Sequence, residues 1–249
     1  MEPTECLIRT LRIELKELVD TNYITQDDID SVISAVAKQF NSSYQGADSP
    51  WVPVTEDPGA NAQDEYGIHV LFNNSTLPQF AHIDGVGRPI HTESKDLSGY
   101  KGPMSVALQL TNHKPTQVGR ALNVAHLVME TKGDKQLAKQ TAQYINNVLV
   151  EADRTFDSLN EPDVHPGTCT VFTKNTTIHR GSARGNADEV RMVVYWTMCR
   201  EDMMQEYMHD EAETSETPPG FQNLHSVTGD HLIEWYRKIT QPRSMHIHL

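Results

Sequence analysis

Cysteine is scarce in this sequence. The three present, Cys6, Cys169 and Cys199, lie far apart and without CxxC spacing. That pattern leaves no basis for a disulfide framework or a thiolate zinc site, and it fits a reducing interior. An apolar run of membrane length is also missing, and residues 1–20 are broken by Glu2, Glu5, Arg9, Arg12, Glu14, Lys16 and Glu17. No signal segment is read there, and the expected location is the cytoplasm. Clusters of positive charge are absent as well. Lys and Arg total 21 against 34 Asp and Glu, a formal net charge of −13. Such a balance argues against a nucleic-acid phosphate backbone or an anionic membrane surface as partner. No repeat of solenoid length interrupts the chain.

What is present suits one domain over residues 1–249, with a mainly β body and helical additions. Leu7, Ile8, Leu11, Leu15, Leu18 and Val19 recur at helical spacing, and Ile29, Val32, Ile33, Val36 and Phe40 repeat the pattern after Thr25. Two amphipathic helices are therefore expected within residues 1–40, as packing surfaces that could also support a homodimer. Residues 41–65, rich in Ser, Asp, Pro, Gly and Asn, are expected as a loop crossing the surface or the mouth of a site. Short apolar runs at 67–72, 79–84, 104–111, 120–128, 168–173, 177–179 and 191–198 predict strands. A helix at 135–156 interrupts them, an acidic linker follows at 201–219, and a last helix runs over 228–239.

The chemistry concentrates in the β body. In PQFAHIDGVGRP, His82 and Asp84 are two residues apart, so on a strand both side chains leave the same face while Ile83 meets the opposite layer. The stretch VHPGTCTVFTKNTTIHRG then brings His179 from a different strand. Two imidazoles and one carboxylate occupy one face of an octahedron and leave three positions open, an arrangement suited to redox iron. Arg191 opens the run RMVVYWTM, where a guanidinium at a strand start can form two parallel hydrogen bonds with a carboxylate, a plausible anchor for a dicarboxylic acid. Alternation places Arg191, Val193, Tyr195 and Thr197 on one face and Met192, Val194, Trp196 and Met198 on the other.

The HxD at 82–84, His179 and the trailing Arg191, with the string HRGSARGNADEVR, resemble the Fe(II)/2-oxoglutarate-dependent dioxygenase superfamily, closest to phytanoyl-CoA dioxygenase-like members. The resemblance covers residues 67–198. It implies a double-stranded β-helix, of jelly-roll or cupin-like kind, in which His82, Asp84 and His179 hold Fe(II) and Arg191 pairs with the far carboxylate of 2-oxoglutarate. It further implies an oxidoreductase that uses O2 to oxidise a small organic substrate, by hydroxylation in the default case, while 2-oxoglutarate becomes succinate. The retained carboxylate of Asp84 points away from halogenation. The stretch VGRALNVAHLVME departs from the usual Pro-Gly-Ser-His wording of the phytanoyl-CoA dioxygenase-like group, although Gly119 and His126 are similarly arranged.

From a different class, a cupin-like metal-dependent isomerase or a non-catalytic metal-binding module would keep the barrel and the ion without using oxygen. Hydroxylation of a basic peptide is a further possibility for so acidic a chain. Gln109 and Thr111 share a strand face, but alternation alone leaves open which face points inward, and the same holds for His126. Arg88 and His91 sit beside the HxD, in a loop where charges are usually only solvated. His246 and His248 imitate an alternating pair of ligands at a chain end that needs none.

Overall fold

A computed structural model describes residues 8–12, 26–43, 49–54, 69–73, 78–84, 102–182, 191–205, 223–224 and 226–240. Among the described residues, ten strands and four α-helices follow in chain order: β1 (Ile8–Arg12), α1 (Gln26–Ser43), β2 (Trp51–Pro53), β3 (His69–Asn73), β4 (Ile83–Asp84), β5 (Met104–Gln109), β6 (Gln117–Ala121), α2 (Val124–Glu130), α3 (Lys135–Ser158), β7 (Thr168–Thr173), β8 (Thr177–Arg180), β9 (Arg191–Arg200), β10 (Asn223–Leu224) and α4 (Gly229–Thr240).

The larger sheet is antiparallel throughout, in the order β1, β7, β5, β9, β2, with β3 also paired to β9. The second sheet is built from two pairs, β10 with β4 and β6 with β8. A bridge between His82 and His179 joins them into one surface. Period-two alternation sorts the side chains of the larger sheet into two layers. Met104, Val106, Leu108, Cys169, Val171, Val194, Trp196 and Met198 face α1, whose Val32, Ile33, Val36 and Phe40 recur at three- and four-residue spacing to meet them. Phe40 closes that layer edge-on against Trp51, with centroids 5.9 Å apart. On the opposite face Ala107, Phe172 and Val193 pack with Val118 of β6, so the two sheets face each other.

The second sheet turns its other face to a helical layer. Ile83, Ile178 and Leu224 are buried there against Ile145, Val148 and Leu149 of α3 and Leu232 and Trp235 of α4. Asp134 caps α3, its Oδ1 accepting the Leu137 N–H at 2.8 Å, and Thr228 Oγ1 accepts the His231 N–H at 3.2 Å at the start of α4. The result is helix, sheet, sheet and helices in layers.

Three expectations need correction. Residues 8–12 are a strand, not part of a first helix: with Ile8 and Thr10 β-branched, this segment runs antiparallel along β7 from Ile8 opposite Phe172 to Arg12 opposite Thr168. The hydrogen-bonding edge of β7 outweighs a modest helical spacing. The strand expected at 120–128 stops at Ala121, because Asn123 caps a new helix by accepting the His126 N–H at 3.0 Å, and Val124, Leu127 and Val128 then bury one helical face. Within 41–65, β2 pairs with the end of β9, and Asn41 holds it at both ends of one backbone unit, accepting from Trp51 N at 2.8 Å and donating to Trp51 O at 2.7 Å. The acidic stretch begins as a 3-10 turn at Glu201–Met203, and residues 206–219 lie outside the described residues. Among the described residues, no helix is long and apolar enough to cross a membrane.

Candidate metal centre

His82 and His179 are a directly opposed pair between neighbouring antiparallel strands. Each backbone N–H donates to the other residue's carbonyl at 2.9 Å. Paired in this way, both rings must leave the same face of the sheet. Their centroids lie 4.4 Å apart. Asp84, two residues beyond His82, emerges on that face too, with Oδ1 3.5 Å from His82 Nε2 and Oδ2 3.2 Å from His179 Nε2. Ile83 points the other way into the helical layer, as alternation requires. One ligand atom from each of the three residues falls within 4.8 Å of the others, so the group could hold a metal ion.

The backbone sets the chemistry of both rings. His82 Nδ1 is 2.8 Å from the Phe80 carbonyl and His179 Nδ1 is 3.0 Å from the Thr177 carbonyl. A carbonyl only accepts, so each Nδ1 carries the proton and each Nε2 is left to face Asp84. Pre-set tautomers of this kind orient imidazoles for a metal. Phe172, from the larger sheet, packs on His179 at 4.6 Å between centroids.

Burial works to raise the carboxyl pKa of Asp84, but the charge and hydrogen bond of His179, with the charges of His82 and Lys174, hold it well below the usual carboxylate range. For His179, burial works to lower the imidazole pKa and loses to the charge and hydrogen bond of Asp84, so its pKa is raised. The two groups thus favour each other's charged form, and a cation between them would compete with the proton on His179.

Arg191 belongs to the opposite sheet. Its side chain lies on the inward face of β9 with Val193 and is 2% exposed. Nη2 donates to Thr116 Oγ1 at 3.2 Å, Thr116 Oγ1 is 2.9 Å from the Tyr195 hydroxyl, and Nε has no hydrogen-bond partner. No carboxylate among the described residues pairs with this guanidinium, although a buried cation without one is costly. Gln109 faces inward at 1% exposure, with neither amide atom partnered. Among the described residues the interior thus presents a cation without a carboxylate and an amide without a partner, groups that can donate hydrogen bonds to an anion.

The four residues singled out by motif thus fall on the facing surfaces of the two sheets. Gln109 resolves to the inward face, whereas Thr111 accepts the Met192 N–H at 2.9 Å. His126 is placed on α2, with Nε2 3.3 Å from Glu130 on the same helix, and it takes no part in the centre. Arg88, His91, His246 and His248 lie outside the described residues. Sequence reasoning passed over Thr116, whose contact to Arg191 crosses from a connection with no periodic pattern, and Lys174, which donates to Thr197 Oγ1 at 3.0 Å from a turn. It also passed over Asp153 on α3. Asp153 Oδ1 accepts the Ala81 N–H at 2.7 Å and lies 3.3 Å from Arg180 Nη1, so one carboxylate ties both histidine-bearing strands to the same helix. Arg180 is held there also by Asp157 at 2.8 Å and Gln117 at 2.7 Å.

A scan of protein-family models and of curated proteins finds no match to this chain.

Proposed function

We propose that this chain is a non-haem Fe(II)/2-oxoglutarate-dependent dioxygenase with a double-stranded β-helix core, hydroxylating a small organic substrate. The observation that carries the reading is a two-histidine, one-carboxylate group together with a buried Arg191 on the facing sheet, with which no carboxylate among the described residues pairs. The strand path supports it: from β3 to β9, successive strands alternate between the larger and the smaller sheet, which is how a double-stranded β-helix winds. The donor set also fits Fe(II), since imidazole and carboxylate suit a divalent first-row metal and three ligands leave coordination positions open.

In this reading His82 and His179 through Nε2, and Asp84 through a carboxylate oxygen, would hold the ion. When bound, Fe(II) with 2-oxoglutarate and O2 supplies the power to oxidise a C–H bond, with succinate and carbon dioxide released. Arg191 receives the distal carboxylate, and its hydrogen bond to Thr116 keeps the guanidinium from turning away. Gln109 gives the cosubstrate an amide partner within the same interior. Phe172 packs against His179 and keeps water from one side of the ring.

The test is an anaerobic titration of metal-free protein with Fe(II) and then 2-oxoglutarate, following the weak visible charge-transfer band of the chelate. The band is expected in the wild type, at concentrations where Arg191→Ala shows little of it. Tight zinc binding with no band would instead favour a metal-dependent isomerase or a binding module.

A further inference from the structure

The placement of Arg191 depends on a residue that has no side chain. Gly181 follows β8 two positions after His179, on the same face of the extended chain, about 6.6 Å along it. Its backbone is held by Gln79, whose N–H donates to the Gly181 carbonyl at 3.0 Å and whose Oε1 accepts the Gly181 N–H at 2.9 Å. A Cβ at this position would come within 2.8 Å of Gln79 Oε1 and 3.3 Å of Arg191 Nη1. The guanidinium that leaves β9 therefore crosses the interior and comes to rest against the bare backbone of the strand that bears His179. Any side chain at 181 would push it back.

On the reading of Arg191 as the cosubstrate anchor, we infer that Gly181 is a specificity-determining residue for 2-oxo acids, one that sets the position of the guanidinium and so selects acids with a distal carboxylate. Gly181 is not one of the three metal-holding residues; it acts through Arg191. A side chain at 181 would affect two classes of acid differently, as a general packing role would not. A 2-oxo acid without a distal carboxylate makes no use of the guanidinium, so its binding is indifferent to residue 181. A 2-oxo diacid needs charged hydrogen bonds whose strength falls steeply once donor and acceptor are misaligned. The Gln79 contact is with the end of a flexible, exposed side chain that can turn aside, whereas Arg191 is buried and tethered to Thr116. The consequence of a methyl group thus falls on Arg191.

The experiment measures anaerobic calorimetric binding of Fe(II), then of 2-oxoglutarate and of 2-oxobutanoate, to the wild type, Gly181→Ala, Gln79→Ala and the Gln79→Ala/Gly181→Ala double variant. The wild type is expected to bind 2-oxoglutarate well ahead of 2-oxobutanoate. Gly181→Ala should weaken 2-oxoglutarate about tenfold, the loss of one well-aligned charged hydrogen bond, while leaving 2-oxobutanoate and Fe(II) unchanged. The double variant, in which the Gln79 contact is gone, should show the same loss, and Gln79→Ala alone should not. Wild-type preference for the diacid with no change in Gly181→Ala overturns the inference and leaves the proposed function standing. Equal loss of both acids, or of Fe(II), makes residue 181 merely structural and also overturns it. A wild type that holds Fe(II) yet does not prefer the diacid removes the proposed function, and the inference with it.

Discussion

At the scale of single residues, the centre is a balance between Asp84 and His179 that a metal would reverse. The depressed carboxyl of Asp84 contributes stability that is present above its unfolded-state pKa of about 3.9 and is lost as pH falls through its folded value. The raised imidazole of His179 contributes stability that is fully present below about 6.5 and is lost as pH rises through its folded value. Both contributions coexist between roughly pH 4 and 6.5. Metal-free protein should therefore have its highest melting temperature in that window, and Asp84→Asn should flatten the upper edge; a melting temperature that climbs steadily from pH 5 to 8 would refute this. Metal binding should show the opposite slope, tightening with rising pH, because the ion competes with the proton on His179. Of these features the spacing of His82 and Asp84 was legible in the sequence, since alternation on a strand follows from covalent geometry. The tautomers were not legible, because they depend on the carbonyls of Phe80 and Thr177, and backbone carbonyls leave no mark in residue identity.

At the scale of elements, the two strands that carry the ligands are short and owe their position to α3. Asp153 gathers the backbone of Ala81 and the side chain of Arg180 onto that helix, so it acts on both imidazoles without touching either. Asp153→Ala should lower metal affinity by about tenfold or more, in the range seen for residues that orient metal ligands, with the ligands themselves intact. Calorimetric titration with Fe(II) or Mn(II) checks it, and unchanged affinity would reduce Asp153 to a surface carboxylate. Helix α3 itself was readable from Leu137, Tyr144, Ile145, Val148 and Leu149, and the structure extends it only to Ser158. Two other segments depart from their local signal for physical reasons. The run from Val124 to Val128 is apolar enough for a strand, and what makes it helical is the cap that Asn123 places on His126. The segment at 8–12 is a strand because the edge of β7 is there to receive it, a fact of tertiary structure that no local spacing holds.

At the scale of the whole molecule, the interior between the sheets is held between two independent apolar layers. One is α1 against the larger sheet, and the other is α3 and α4 against the smaller. Ile145 is fully buried in the second layer, and Ile145→Ala should cost about 2–5 kcal/mol of unfolding free energy, measured by chemical denaturation. Because the layers are separate, the same substitution should leave the α1 side of the molecule protected in hydrogen exchange until global unfolding. The pairing of His82 with His179 has a further consequence at this scale. The chain between them passes through β5, β6, α2, α3 and β7 before it returns to close the bridge. An ion coordinated by both would act as a removable staple across that long ring, held by the folded chain and not by the unfolded one, and would stabilise the fold by its own binding free energy. Release of the ion would then become a gate that unfolding has to pass, and a chelator, harmless to any single contact, would speed the loss of the entire fold.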